Sequence, residues 1–180
     1  MIAPVRGPFL FDTSAESWLA RSEDATLREW FHEYLSLYPA HVSAITVVER
    51  IRGYAVIARR SPEHRRKAVE ASRATYLSHL GFVWPVDAAI AVVAAEIMAL
   101  LPHPSAPLRR THRQTESRQE RLARWRFDCI IAATALVVGM ALIHNNAADF
   151  ESIRGAIERS PERFPKLGPL ELIRCESLVN

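Results

Sequence analysis

Apolar residues along the chain gather into short β-type runs separated by longer stretches of helical period. The runs are Pro8–Phe11, Val42–Ile45, Phe82–Val86, Met140–Ile143 and Leu170–Ile173, which predict five strands. Between the first two, Leu27, Phe31, Tyr34, Leu35 and Tyr38 recur at helical spacing, and Pro39 marks the stop. Ala88 to Leu101 is a second helix candidate, ended by Pro102, and Phe127 to Val138 is a third, ended by Gly139. Strands alternating with helices specify the α/β class. Every gap is long enough for a crossover helix, so the expected architecture is a central, mostly parallel sheet of about five strands flanked by helices. Ligands of such sheets bind beyond the carboxyl ends of the strands.

Two stretches depart from this pattern. Arg59 to Arg73 carries Arg59, Arg60, Arg65, Arg66, Lys67 and Arg73 against Glu63 and Glu70, which reads as a basic, solvated helical segment. From Pro102 to Arg126, three prolines break structure, and Arg109, Arg110, Arg113, Arg118, Arg121, Arg124 and Arg126 follow in one polar stretch. Each stretch is either a solvated face or a phosphate-contacting wall. The second reading gains force only if an acidic metal site lies between the two.

Composition narrows the class. With 180 residues, 49% hydrophobic and 24% charged, the chain suits one domain spanning 1–180 with a core of ordinary size, and whole-chain disorder is excluded. The net charge is +3, and every basic residue except Lys67 and Lys166 is arginine, a residue suited to bidentate contacts with phosphate or carboxylate. Cys129 and Cys175 form no disulfide framework and no Cys-x-x-Cys pattern, so a reducing, cytoplasmic setting is expected. No secretory signal is visible at the N-terminus. The longest apolar run, Cys129 to Ile143, is too short to span a membrane and reads as a buried helix feeding a buried strand, so no membrane association is expected.

Familiar catalytic signatures are missing: no Gly-x-Gly fingerprint, P-loop, Gly-x-Ser-x-Gly elbow or His-Glu-x-x-His occurs, and the seven histidines show no paired zinc-ligand spacing. The acids stand out instead. Asp12 ends the first predicted strand, Glu49 lies in the first turn after the second, Asp128 opens the apolar helix, and Asp149 follows the fourth strand. In a parallel sheet these positions share one rim. Four carboxylates there repel one another unless a divalent cation neutralises them, and hard oxygen donors without His or Cys suit Mg²⁺ or Mn²⁺. Each acid also has an ordinary explanation. Asp12 and Asp149 can cap helices, Thr46-Val47-Val48-Glu49 fits a capping box, and Asp128 suits the first turn of a helix. Asp87 reads as a helix cap, Cys129 as packing, and Asn146 as a turn residue. Trp18, Trp30, Phe31, Tyr34 and Tyr38 read as core or as a partner-covered groove.

Four separated segments resemble, in order, those of the PIN-domain nucleases, and most closely the toxins of VapBC toxin–antitoxin pairs. Leu10-Phe11-Asp12-Thr13-Ser14 is similar to the family's Leu-Asp-Thr-Asn, and Ser43 to Arg50 is similar to its Ser-x-x-Thr-x-x-Glu-Leu. Asp128-Cys129-Ile130-Ile131-Ala132-Ala133-Thr134-Ala135 resembles Asp-x-x-Ile-Ala-Ala-Thr-Ala, and Asn146-Ala147-Ala148-Asp149-Phe150 resembles Asn-x-x-Asp-Phe. The chain departs from the pattern where His144 and Asn145 replace Thr and Arg, and where Ser14 replaces Asn. It is also longer than a typical toxin of this group, with the excess at 59–79 and 102–119, read as basic insertions that hold any unusual substrate or partner preference.

The resemblance implies Mg²⁺- or Mn²⁺-dependent hydrolysis of RNA, with tRNA a candidate substrate and with Asp12, Glu49, Asp128 and Asp149 as catalytic and metal-binding residues. Asp12 and Asp128 are the expected direct ligands, and Glu49 and Asp149 act through water, a second ion or the nucleophile. Ser14 and Asn146 are expected to help position water or phosphate. The resemblance further implies a homodimer and a cognate antitoxin whose C-terminal segment blocks the acidic pocket, often with an Arg. Two other readings stay open: a PIN nuclease for housekeeping RNA processing or DNA structures without an antitoxin, and a non-catalytic nucleic-acid-binding PIN module.

Overall fold

The structure, a computed structural model, describes residues 7–105, 107–108 and 115–179. One sheet holds five strands, β1 (Leu10–Phe11), β2 (His41–Ser43), β3 (Phe82–Trp84), β4 (Leu142–His144) and β5 (Leu172–Arg174), all parallel and in the order β3-β2-β1-β4-β5. The connections carry α1 (Thr13–Leu19), α2 (Ala25–Leu37), α3 (Ala44–Arg60), α4 (Glu63–Ser78), α5 (Ala88–Leu100), α6 (Arg118–Val138) and α7 (Ala147–Arg159). The predicted α/β architecture and all five strands are present. The second strand stops earlier than expected because Ser43 caps the next helix, its Oγ accepting from the Ile45 N–H at 3.4 Å. Ala44 and Ile45 therefore belong to α3.

Alternate strand residues feed two cores, as the period of a strand requires. Leu10 and Leu142 are buried with residues of α5, α6 and α7, whereas Phe11, Val42 and Ile143 are buried with α1 and α2. Trp30, Phe31 and Tyr34 belong to the second core as expected, and the Tyr34 hydroxyl accepts from the Phe9 N–H at 3.0 Å. Asp87 caps α5 through the Ile90 N–H at 2.9 Å, also as expected.

The main correction concerns α6, which begins well before Phe127. Ser117 and Glu120 form its capping box, with bonds of 3.1 and 2.9 Å, and Gly139, at φ 67°, ends it in the left-handed conformation that glycine adopts without strain. The second half of the polar stretch 102–126 is thus a helix with a buried face. Arg121 and Trp125, four residues apart, are 2% and 1% exposed, and the Trp125 indole donates to the Leu101 carbonyl at 3.1 Å. Arg109, Arg110 and Arg113 lie outside the described residues. The basic stretch Arg59–Arg73 behaves as read: α4 has no buried residue and packs against α3. Among the described residues, no helix is long and apolar enough to cross a membrane.

Candidate active site

Sheet order reverses between β1 and β4, and in open parallel sheets the crevice outside the carboxyl ends at such a switch point is where ligands bind. A cavity of about 830 Å³ opens there, lined by Asp12, Glu49, Asp128 and Asn146, with Arg50, Arg124 and Trp18 on its walls.

Asp12 follows β1 directly and is only 3% exposed. Its carboxylate caps α1 by accepting from the Ala15 N–H at 2.5 Å, and it also accepts from Ser14 Oγ at 2.8 Å. Capping and lining the cavity are both its roles. Glu49 lies in the second turn of α3 and accepts from Thr13 Oγ1 at 2.5 Å. Its capping-box reading is overturned, since Ser43 is the cap. Asp128 sits inside α6, so the first-turn explanation fails for it as well. Burial pushes its carboxyl well above the usual carboxylate range, the charges of Asp149, Asp12 and Glu49 push it further, and Arg124 opposes them. Asp12, Glu49 and Asp149, expected to share its rim, are therefore close enough to act on Asp128.

Asn146, in the turn before α7, ties two of them together. Its Nδ2 donates to Asp128 Oδ2 at 3.1 Å and to Asp149 Oδ2 at 2.8 Å. Asp149 lies in the first turn of α7 rather than ahead of it, is wholly buried, and is not among the residues that line the cavity. It pairs with Arg121 at 2.6 Å and accepts from the Ser105 N–H at 3.1 Å.

Cations surround the acids. Arg124 Nε and Nη2 bind Glu116 at 3.0 and 2.8 Å; burial works against its charge, but Glu116, Asp128 and Asp149 together hold the guanidinium above its ordinary pKa. Arg50 binds Glu16 at 3.2 Å and Ser17 at 2.9 Å, and lies 5.5 and 5.0 Å from the ring centroids of Tyr54 and Tyr76. Tyr76 comes from α4, so that helix buttresses a wall of the cavity. Thr13 and Arg50 carried no site reading from sequence, and Arg121 and Arg124 were placed only in the stretch read as a solvated face or a phosphate-contacting wall. The signal for two of them exists, since Arg121, Arg124 and Asp128 are spaced by three and four along one helix face.

The donor set fits a hard divalent cation: carboxylates and amides converge, and a buried carboxylate stands among three others. Among the described residues, no three His, Cys, Asp or Glu side chains form a ready cluster around one point. Binding through one or two carboxylates plus waters, the habit of Mg²⁺, is the mode this spacing permits.

His144, on β4 where the resembled family has Thr, is fully buried against Phe150, and neither ring nitrogen has a hydrogen-bond partner among the described residues. Burial, then the charges of Arg174 and Arg154, bring its pKa down to about 4. The unfolded chain takes up this proton near pH 6.5 and the folded one only near pH 4, so stability falls as pH drops through that window, by up to about 3 kcal/mol. His144→Leu should flatten the dependence of urea midpoints on pH between 6.5 and 4; an unchanged slope contradicts a neutral, buried imidazole.

The PIN domain family's sequence profile matches residues 9–156. No curated protein matches the chain. Solved structures similar in fold include DNA-bound VapBC2 from Rickettsia felis, 14% identical, covering 92% of this chain and 97% of that one with a TM-score of 0.57. DNA-bound VapBC from Salmonella typhimurium is 20% identical over 93% and 97% of the two chains, with a TM-score of 0.57. FitAcB from Neisseria gonorrhoeae is 20% identical over 94% and 99%, with a TM-score of 0.58. A profile match over most of the chain, on a parallel sheet with acids at its switch point, places this chain in the PIN-domain family of nucleases.

Proposed function

We propose that the chain is a divalent-metal-dependent endoribonuclease and the toxin of a toxin–antitoxin pair. The observation that carries the reading is the convergence of Asp12, Glu49 and Asp128 on one cavity whose walls also present Arg50 and Arg124. Carboxylates without a cation would repel an RNA backbone; with a bound divalent ion, and with guanidinium groups beside them, the same cavity attracts a phosphodiester.

Asp12 and Asp128 would hold Mg²⁺ or Mn²⁺, with Glu49 reaching it through water. Such an ion lowers the pKa of a bound water and stabilises charge on the phosphate oxygens. The protein's own groups do the rest. Thr13 fixes the Glu49 carboxylate through their 2.5 Å hydrogen bond, which suits Glu49 to accept a proton from an attacking water. Ser14 and Asn146 orient Asp12 and Asp128 respectively. Arg50 and Arg124 are placed to bind flanking phosphates.

The fold shared with VapBC and FitAcB structures supports an antitoxin partner, and the exposed face of α4 leaves room for one. A homodimer and a cytoplasmic setting belong to the same reading. The test is cleavage of a total tRNA pool with Mg²⁺ and with EDTA. Wild type should cut only with metal, and Asp12→Asn should cut at least about 100-fold more slowly. Equal cutting in EDTA, or by Asp12→Asn, contradicts the proposal.

A further inference from the structure

We infer that Asp149 is a positioning residue neutralised from within the chain by Arg121, and that a cation here is held by Asp12 and Asp128, with Glu49 reaching it through water and Asp149 taking no part. This refines the proposed metal site and rests on that reading.

Arg121 precedes Asp128 by seven residues, two turns of α6, so both project from one face. The unexpectedly early start of α6 is what carries a guanidinium to the acids. Arg121 is 2% exposed and Asp149 is fully buried. Arg121 Nη2 lies 2.6 Å from both Asp149 oxygens. The Ser105 N–H adds 3.1 Å to Oδ1, and Asn146 Nδ2 adds 2.8 Å to Oδ2. A carboxylate has about four lone-pair sites, and these contacts engage them.

Position agrees with occupancy, because Asp12, Glu49, Asp128 and Asn146 line the cavity and Asp149 does not. For Asp149 to ligate an ion, the buried 2.6 Å Arg121–Asp149 contact must be given up, which is strongly unfavourable. Asp149 therefore acts through Asn146. It holds the amide whose Nδ2 also reaches Asp128 Oδ2 at 3.1 Å, and so sets the orientation of a ligand it does not join.

Single variants confound the test, since each removes one charge of a buried ion pair and leaves the other. The informative protein is the full chain carrying Arg121→Met and Asp149→Asn together, which loses both charges and keeps the shape. Mn²⁺ titration calorimetry and thermal melting are run on it beside wild type, Arg121→Met and Asp128→Asn. The double variant should bind one Mn²⁺ per chain within about threefold of wild type, whereas Asp128→Asn loses at least about tenfold. Its melting temperature should also exceed that of Arg121→Met. Loss of Mn²⁺ by the double variant to the extent seen in Asp128→Asn, with wild type binding normally, makes Asp149 a ligand and overturns the assignment. Wild type that takes up no Mn²⁺ overturns the parent reading and this ligand set together. A double variant that melts no higher than Arg121→Met overturns the ion pair independently of metal. If the methionine pair does not fold, Arg121→Gln with Asp149→Asn serves the same comparison.

Discussion

Asp128→Asn should lower metal-dependent cleavage by at least about 100-fold while raising the melting temperature of the metal-free protein by about 3–6 °C. The two effects have one cause. Burial inside α6 holds the Asp128 carboxyl well above the usual range, and the charges of Asp149, Asp12 and Glu49 push it further. A group whose folded pKa is raised favours the folded state below its unfolded value and loses that contribution as pH rises through the folded one. At neutral pH without metal, its ionisation therefore opposes folding. Asparagine keeps the shape and removes the charge, so stability increases and its decline with rising pH becomes shallower. The same charge is what a divalent cation needs, hence the loss of cleavage. Melting curves from pH 4 to 8 in EDTA, beside an RNA-cleavage assay in Mg²⁺, measure both. A less stable, fully active variant contradicts the account.

Trp125→Ala should cost about 3–5 kcal/mol of folding stability, the usual range for removing a buried Trp side chain. The indole is 1% exposed in the core beneath the sheet, and its N–H donates to Leu101 at the end of α5. Truncation leaves both a void and an unpaired carbonyl. Since Trp125 lies between Arg121 and Asp128 on α6, loosening it also loosens the helix that carries the site. Trp125→Phe restores most of the volume without the donor and should recover more than half of the loss in urea titration. A loss under 1 kcal/mol for the alanine variant would show that α6 is not packed as described.

The fold was legible because strand and helix periods separate cleanly: each of the five apolar runs became a strand, and Pro39, Pro102 and Gly139 lie just past the ends of α2, α5 and α6. The site was legible in part. Asp12, Glu49 and Asp128 reach one cavity because a parallel sheet gathers the ends of distant strands on a single rim. What stayed hidden is the N-terminal half of α6. Arg118 to Arg126 is so rich in charge that it resembles a solvated loop, and its buried stripe consists of Arg121 and Trp125, an arginine being apolar by no scale. The tertiary partner Asp149 makes burial of that guanidinium tolerable, and a partner 28 residues away leaves no local signal. The alternatives set aside by the structure failed for local reasons: Ser43 takes the cap that Thr46 and Glu49 were read to form, and the capping box of α6 starts at Ser117, well before Asp128.

The proposed function places a divalent cation at the buried carboxylates of the β1–β4 switch point. Calorimetric titration of Mn²⁺ into wild type, Asp12→Asn and Asp128→Asn tests it most directly. Wild type should bind saturably and each substitution should weaken binding at least about tenfold, with melting curves confirming that both variants are folded. Binding of equal strength in all three proteins, or in none, would contradict it.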